Sequence, residues 1–250
     1  LMVVLPQTLE DALAQARTAT KAALDDGYRL IQVELGFSEL KAQSIAEQFL
    51  PIMNDLGMLP KVFFPDTGAA ALARRDWGDI PFKIADLGSR RLSIESSIEP
   101  DDEWFLLVEP SAVEVAQVEK LCQSAGDRPV VLLIPRLEDV ATLGIGYAGR
   151  QLRERFLNTI ESCYYIRPIE GASVFRCYPS PWQVWQDTET GEPHLISETP
   201  NKPVGDVLDR ILAGETPSLE EAQPGSASPT PRKRPGFLSQ LQRFLKVLNQ

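Results

Sequence analysis

The stretch WFLLVEPSAVEVAQVEKLCQSAGDRPVVLLIP, residues 104–135, decides the fold. Trp104–Val108 is an unbroken apolar run of strand length, which is how a strand buried on both faces reads. Ser111 stands where a helix N-cap belongs, Val113–Ser124 continues at helical spacing, and Gly126 ends it. Val130–Ile134 is a second wholly apolar run. A strand, a helix and a strand in this order make a βαβ unit, with two parallel strands joined by a crossover helix.

The same alternation extends upstream. Thr8 reads as an N-cap, Leu9, Leu13, Ala16, Ala23 and Leu24 recur at helical spacing, and Gly27 closes the helix. Arg29–Leu35 reads as a strand. Ser38 is expected to cap a helix reaching Asp55, stopped by Gly57. Lys61–Phe64 is a short strand ended by Pro65, and Asp66-Thr67-Gly68 opens an alanine-rich helix over Ala69–Arg75. Phe82–Leu87 and Arg91–Ile94 are further strand candidates.

Downstream, a helix is expected over Tyr147–Thr159. Short strands come next at Tyr164–Ile169, Val174–Tyr178, Trp182–Gln186 and His194–Ser197, with Glu189-Thr190-Gly191 as a turn, and a last helix covers Val204–Leu212. The expected fold is therefore α/β, a mostly parallel, helix-covered sheet with an antiparallel C-terminal extension. That domain spans 1–213. Residues 214–236, rich in Pro, Ser, Gly and Glu, read as a flexible linker. Residues 237–250 read as a basic amphipathic helix.

Charge separates the two parts. The chain carries −10 overall, yet residues 231–250 contain Arg232, Lys233, Arg234, Arg243 and Lys246 and no acid. The tail is thus +5 and the remainder −15. An acidic body of this kind excludes broad contact with a phosphate backbone, so no nucleic acid is expected as partner. Three scattered cysteines, none in a C-x-x-C pair, exclude a disulfide framework and imply reduced thiols in a cytoplasmic setting. No stretch approaches the ~20 apolar residues of a bilayer span. LMVVLP at residues 1–6 is too short for a secretory leader.

Candidate chemistry is sparse. Ligands of open α/β sheets bind beyond the carboxyl ends of parallel strands. Glu34, Asp66, Thr67, Glu109 and Arg136 fall at those ends, as a rim where carboxylates either gather on a divalent cation or simply cap helices and meet solvent. Gly144, Gly146 and Gly149 spell G-x-G-x-x-G, but well after their strand, so a dinucleotide fingerprint is not indicated. With Arg150 and Arg153 they leave either an anion site at a helix start or plain close packing. A single histidine, His194, excludes a zinc site built on His and Cys clusters, and no cofactor is expected. Trp182 and Trp185 are three apart on one strand and should face opposite sides, one in the core and one exposed. In the tail, Phe237, Leu238, Leu241, Phe244, Leu245 and Leu248 form an apolar stripe beside Gln240, Arg243 and Lys246. This is the profile of an interfacial helix, or of one that docks on a partner or on its own domain.

Five segments carry a resemblance: LPQTLEDALAQARTATKAAL (5–24), VELGFSEL (33–40), KVFFPDTGAAALARRDW (61–77), GIGYAGRQLRERFLNTIESCYYIRP (144–168) and FRCYPSPWQVW (175–185). Over about residues 5–212 the chain resembles the DUF1995 family of cyanobacteria and chloroplasts. Plant members include a chloroplast protein needed for photosystem II accumulation, and the domain also occurs fused to a chloroplast adenylate kinase. The resemblance implies a non-catalytic assembly or accessory factor, with a photosystem or other thylakoid protein as partner, peripheral on the cytoplasmic face of the thylakoid membrane. It carries over no catalytic residue. The linker and tail lie outside it, and on physical grounds alone the tail's expected partner is an anionic membrane surface, another protein or its own domain.

Overall fold

The computed structural model describes residues 4–37, 39–88, 93–138 and 146–215. Among them, helix α1 (Leu9–Asp25) starts from a capping box: Asp11 N–H donates to Thr8 Oγ1 and the Thr8 N–H donates back to the Asp11 carboxylate. Strand β1 (Leu30–Leu35) comes after it, then α2 (Ala42–Phe49), α3 (Ile52–Leu56), β2 (Pro60–Phe64), α4 (Thr67–Trp77) and β3 (Lys83–Asp86). Next come β4 (Trp104–Val108), α5 (Val115–Ala125), β5 (Val130–Leu133) and α6 (Tyr147–Arg155). The C-terminal part is β6 (Glu161–Ile169), β7 (Ala172–Cys177), β8 (Trp182–Gln186), β9 (His194–Thr199) and α7 (Asp206–Leu212).

All nine strands form one sheet in the order β3-β2-β4-β5-β1-β6-β7-β8-β9. Neighbours from β3 through β6 are parallel, and those from β6 through β9 are antiparallel. The expected mostly parallel sheet with an antiparallel extension is what forms.

Several local expectations are corrected. The helix expected from Ser38 to Asp55 is two helices. Leu50 and Pro51 both keep right-handed helical angles, but Pro51 has no N–H to carry the hydrogen-bond ladder on, so one helix ends at Phe49 and the next begins at Ile52. Ser38 itself lies outside the described residues. Ser111 is not the N-cap of α5; that position is Glu114, and Ser111 sits in the preceding turn, where its Oγ accepts from Val113 N–H and donates to the Glu114 carboxylate. No strand forms at Ile94, which begins a 3-10 turn capped by Ser93. The helix expected to reach Thr159 ends at Arg155, followed by a 3-10 turn at Leu157–Thr159.

The two faces of the sheet are covered differently. On the first face, α1 to α4 pack over the strands in one continuous core that includes Leu13, Phe49, Ala70, Val33, Trp104, Tyr164 and Phe175. On the second face the core is in two pieces. One lies under α5 and α6 and joins Val118, Leu121, Leu152 and Phe156 to Phe105 and Leu132. The other is Tyr165, Val174 and Trp182, with Leu208 of α7 against them. Between the two pieces lies β1, whose residues alternate buried and half-buried.

Candidate functional site

Parallel β2, β4, β5 and β1 are consecutive partly through the sheet, so Asp66, Glu109, Arg136 and Glu34 do fall at neighbouring strand ends. Of the four, Glu109 and Arg136 come together, while Asp66 and Glu34 each engage other partners. Asp66 Oδ1 accepts from Ala69 N–H at 2.9 Å and is the N-cap of α4, with Thr67 as its exposed first residue. Glu109 and Arg136 meet at 2.7 Å. Both strands leave the sheet through left-handed residues, Glu109 and Ile134, each with φ near 48°. For a β-branched residue such as Ile134 that conformation is strained. It is held by Ile134 N–H donating to Val33 O at 2.7 Å and Arg136 N–H to Pro110 O at 2.8 Å.

Gly146 is the N-cap of α6, without a side-chain cap and with open space where a Cβ would stand, and Gly149 is buried. Gly144 lies outside the described residues. Arg150 is exposed and Arg153 half-buried. It is Arg155 that is engaged, with Nε 2.7 Å from Glu119 Oε1 and Nη2 2.9 Å from Oε2, tying α6 to α5. The tail residues 237–250 and the basic residues before them lie outside the described residues.

Glu34 belongs to a different arrangement. On β1, Ile31, Val33 and Leu35 enter the first-face core, so Gln32 and Glu34 point to the second face, into the gap between its two core pieces. Glu34 pairs with Tyr165 on β6, and Tyr165 pairs with Arg176 on β7. The Arg176 guanidinium lies 5.3 Å from the ring centroid of Trp182 on β8. A single row, Glu34–Tyr165–Arg176–Trp182, thus crosses four strands. Tyr165 and Trp182 meet edge to face at 5.1 Å. Lys202, from the loop between β9 and α7, lies across the row with Nζ 3.9 Å from the Tyr165 ring centroid, 5.5 Å from that of Trp182 and 3.5 Å from Glu34 Oε1. The other carboxylate oxygen of Glu34 accepts from Gln32 Nε2 at 3.0 Å and from Ser162 Oγ at 2.8 Å. Arg176 is ion-paired with Glu161.

The sequence singles out Glu34 and the aromatic residues Tyr165 and Trp182, but not Gln32, Ser162, Arg176 or Lys202. One signal was available: LIQVEL places two polar residues, two apart, on a strand that the βαβ pattern makes parallel and central. Trp182 and Trp185 do face opposite sides, but neither is exposed. Trp182 is buried in the second-face cluster and Trp185 half-buried against the first-face core.

At the opposite, N-terminal ends of the strands lies a second charged group. Lys61 Nζ is 3.1 Å from Asp102 Oδ2 and both side chains are buried. Lys83 reaches Glu99, Asp101 and Asp102. Burial alone would raise the Asp102 carboxyl, but the Glu99 backbone N–H and the two ammonium groups outweigh it and hold it below the usual range. Hydrogen bonding to Lys83 lowers Glu99 and Asp101 as well. Among the described residues, Glu99, Asp101 and Asp102 are the one trio of acids whose ligand atoms lie within 4.8 Å of one another. Lys61 and Lys83 already pair with all three.

The three cysteines are free. Burial pushes the Cys163 thiol up to about 12 and that of Cys177 to about 11, which keeps both protonated and unreactive.

Fold and site together define an open α/β domain whose parallel sheet is completed by an antiparallel meander. Residues 6–210 match the family described as "Domain of unknown function (DUF1995)", and the chain belongs to that family.

Proposed function

We propose that this protein is a non-catalytic accessory or assembly factor of the photosynthetic apparatus, working at the surface of the thylakoid membrane. The observation that carries the reading is the state of the strand-end rim. Its charged groups are engaged with one another or with a helix start, Glu109 with Arg136 and Asp66 with α4. At the same end of the sheet two apolar side chains stand in solvent, Val113 at 74% and Tyr147 at 70% exposure, which suits contact with another protein. Family membership supports the reading through its plant members. No helix among the described residues is long and apolar enough to cross a membrane. Attachment then falls to the apolar stripe and basic residues of 232–248.

Deleting the gene should lower photosystem II content, and the full chain should restore it. A chain carrying Leu241→Glu with Phe244→Glu should fail to restore it and, once purified, fail to sediment with phosphatidylglycerol liposomes. An unchanged photosystem II level in the deletion strain would overturn the reading.

A second reading, an α/β domain that binds or acts on a nucleotide or phosphorylated metabolite, draws on one observation. The start of α6 has no side-chain cap and carries exposed Arg150 in its first turn. Calorimetry with a nucleotide panel and Arg150→Ala separates it from the first.

A further inference from the structure

We propose that the row Glu34–Tyr165–Trp182 is a binding site for an alkylammonium group, and that Lys202 fills it in cis until a competing ammonium displaces it. Glu34 is the one residue the site shares with the strand-end rim, and the site does not rest on the photosynthetic reading.

Two aromatic rings and a carboxylate around one ammonium are the groups that recognise an organic cation. Here the sheet register fixes them. Glu34 and Tyr165 are paired neighbours on β1 and β6, and Trp182 meets Tyr165 edge to face from β8. Tyr165 and Trp182 are buried, so the walls are rigid. Glu34 is aimed as well: Gln32 and Ser162 hold Oε2, which turns Oε1 toward the cage. A carboxylate on a central parallel strand, oriented by two neutral donors and set between two separate core pieces, is more than a solvated charge. The guanidinium of Arg176, which also lies against Trp182, is balanced by Glu161, and the cation paired with Glu34 is Lys202.

Lys202 shows what fits, an unbranched alkyl chain ending in a primary ammonium. Its hold is loose. The 3.5 Å from Nζ to Oε1 exceeds the roughly 2.7–2.9 Å of a charge-assisted hydrogen bond. Its side chain is 38% exposed, and it rides on a loop outside strand and helix. The −15 charge of residues 1–230 raises the local concentration of any competing cation. The ammonium is carried by a lysyl side chain of a partner or by a free amine.

The test uses the full chain as wild type, Lys202→Ala and Lys202→Ala/Glu34→Gln. Each is titrated with n-butylammonium chloride at constant ionic strength while the indole N–H resonance of Trp182, assigned with Trp182→Phe, is followed. If Lys202 fills the cage about nine-tenths of the time, removing it lowers the apparent dissociation constant about tenfold. The added Glu34→Gln should abolish the saturable shift. A parallel titration with a lysine-containing hexapeptide and its Nε-acetylated form assigns the source. Tighter binding of the unmodified peptide than of n-butylammonium points to a partner lysine, and the reverse to a free amine. Lys202→Gln, which keeps the stem and removes the charge, replaces Lys202→Ala if that variant unfolds. No saturable shift once the lysine charge is gone, or a shift that survives Glu34→Gln, overturns the proposal and leaves Lys202 as a packing residue.

Discussion

Lys61 and Lys202 both meet acids on this sheet, and they differ in what surrounds them. Lys61 is buried beside Asp102 at the N-terminal strand ends, where Lys83, Glu99 and Asp101 close the network. Lys202 is half-exposed and meets Glu34 at 3.5 Å over two aromatic rings. The same pair of charges is structural where water is excluded and exchangeable where it is not. Desolvation is what separates the roles.

The largest effect should come from breaking the buried member. Lys61→Met leaves the Asp102 carboxylate with Lys83 and the Glu99 backbone N–H as its partners, and should cost about 3 kcal/mol, the lower end of what losing one partner of a buried pair costs. The half-exposed pair sets the contrast: Lys202→Met should cost less than about 1 kcal/mol. Urea unfolding of both variants measures the difference, and equal costs would erase the distinction.

Acid should act on the same network. Asp102, Glu99 and Asp101 all titrate lower in the folded protein than in the unfolded chain. A depressed carboxyl contributes stability that is fully present above its unfolded value, near ~4 for Asp and Glu, and is lost as pH falls through the folded value. The thermal midpoint should therefore hold from neutrality to about pH 5 and fall below it, and the fall should be shallower in Lys61→Met. A midpoint that falls equally in both proteins would place the acid-sensitive groups elsewhere.

The smallest effect belongs to the rim. Asp66→Ala removes the side-chain acceptor of Ala69 N–H and should cost about 1 kcal/mol. A loss several times larger in thermal or urea unfolding would mean that Asp66 does more than cap α4.

Much of the parallel half was legible because its strands are apolar on both faces and each helix between them is punctuated. Trp104–Val108, Val130–Leu133 and the Asp66 cap could be read one segment at a time. The row could not, because it is made by register. Glu34 and Tyr165 are far apart in sequence, and nothing local pairs them. Lys202 sits in a stretch of prolines and polar residues with no period. The split of 38–55 was obscured by helical spacing that continues across Pro51, a case where one missing N–H outweighs the pattern. At Ser111 the residue type for capping was right, but the turn consumed it before the helix began.

Between Gln32 and Val33 of β1, strand β6 passes three residues, Ser162, Cys163 and Tyr164, with Cys163 the one left over. That surplus residue is tucked against Thr20 of α1. It gives the strand a single place where chain length can change without inverting the rest of the strand. Deleting Cys163 would leave Ser162 opposite Gln32 and Tyr164 opposite Val33, and Tyr165 still beside Glu34. Deleting any one residue from Tyr164 to Ile169 instead would exchange the inward and outward sides of the strand beyond it, because side chains alternate with a period of two. Tolerance of insertions and deletions in β6 should therefore be confined to the position of Cys163.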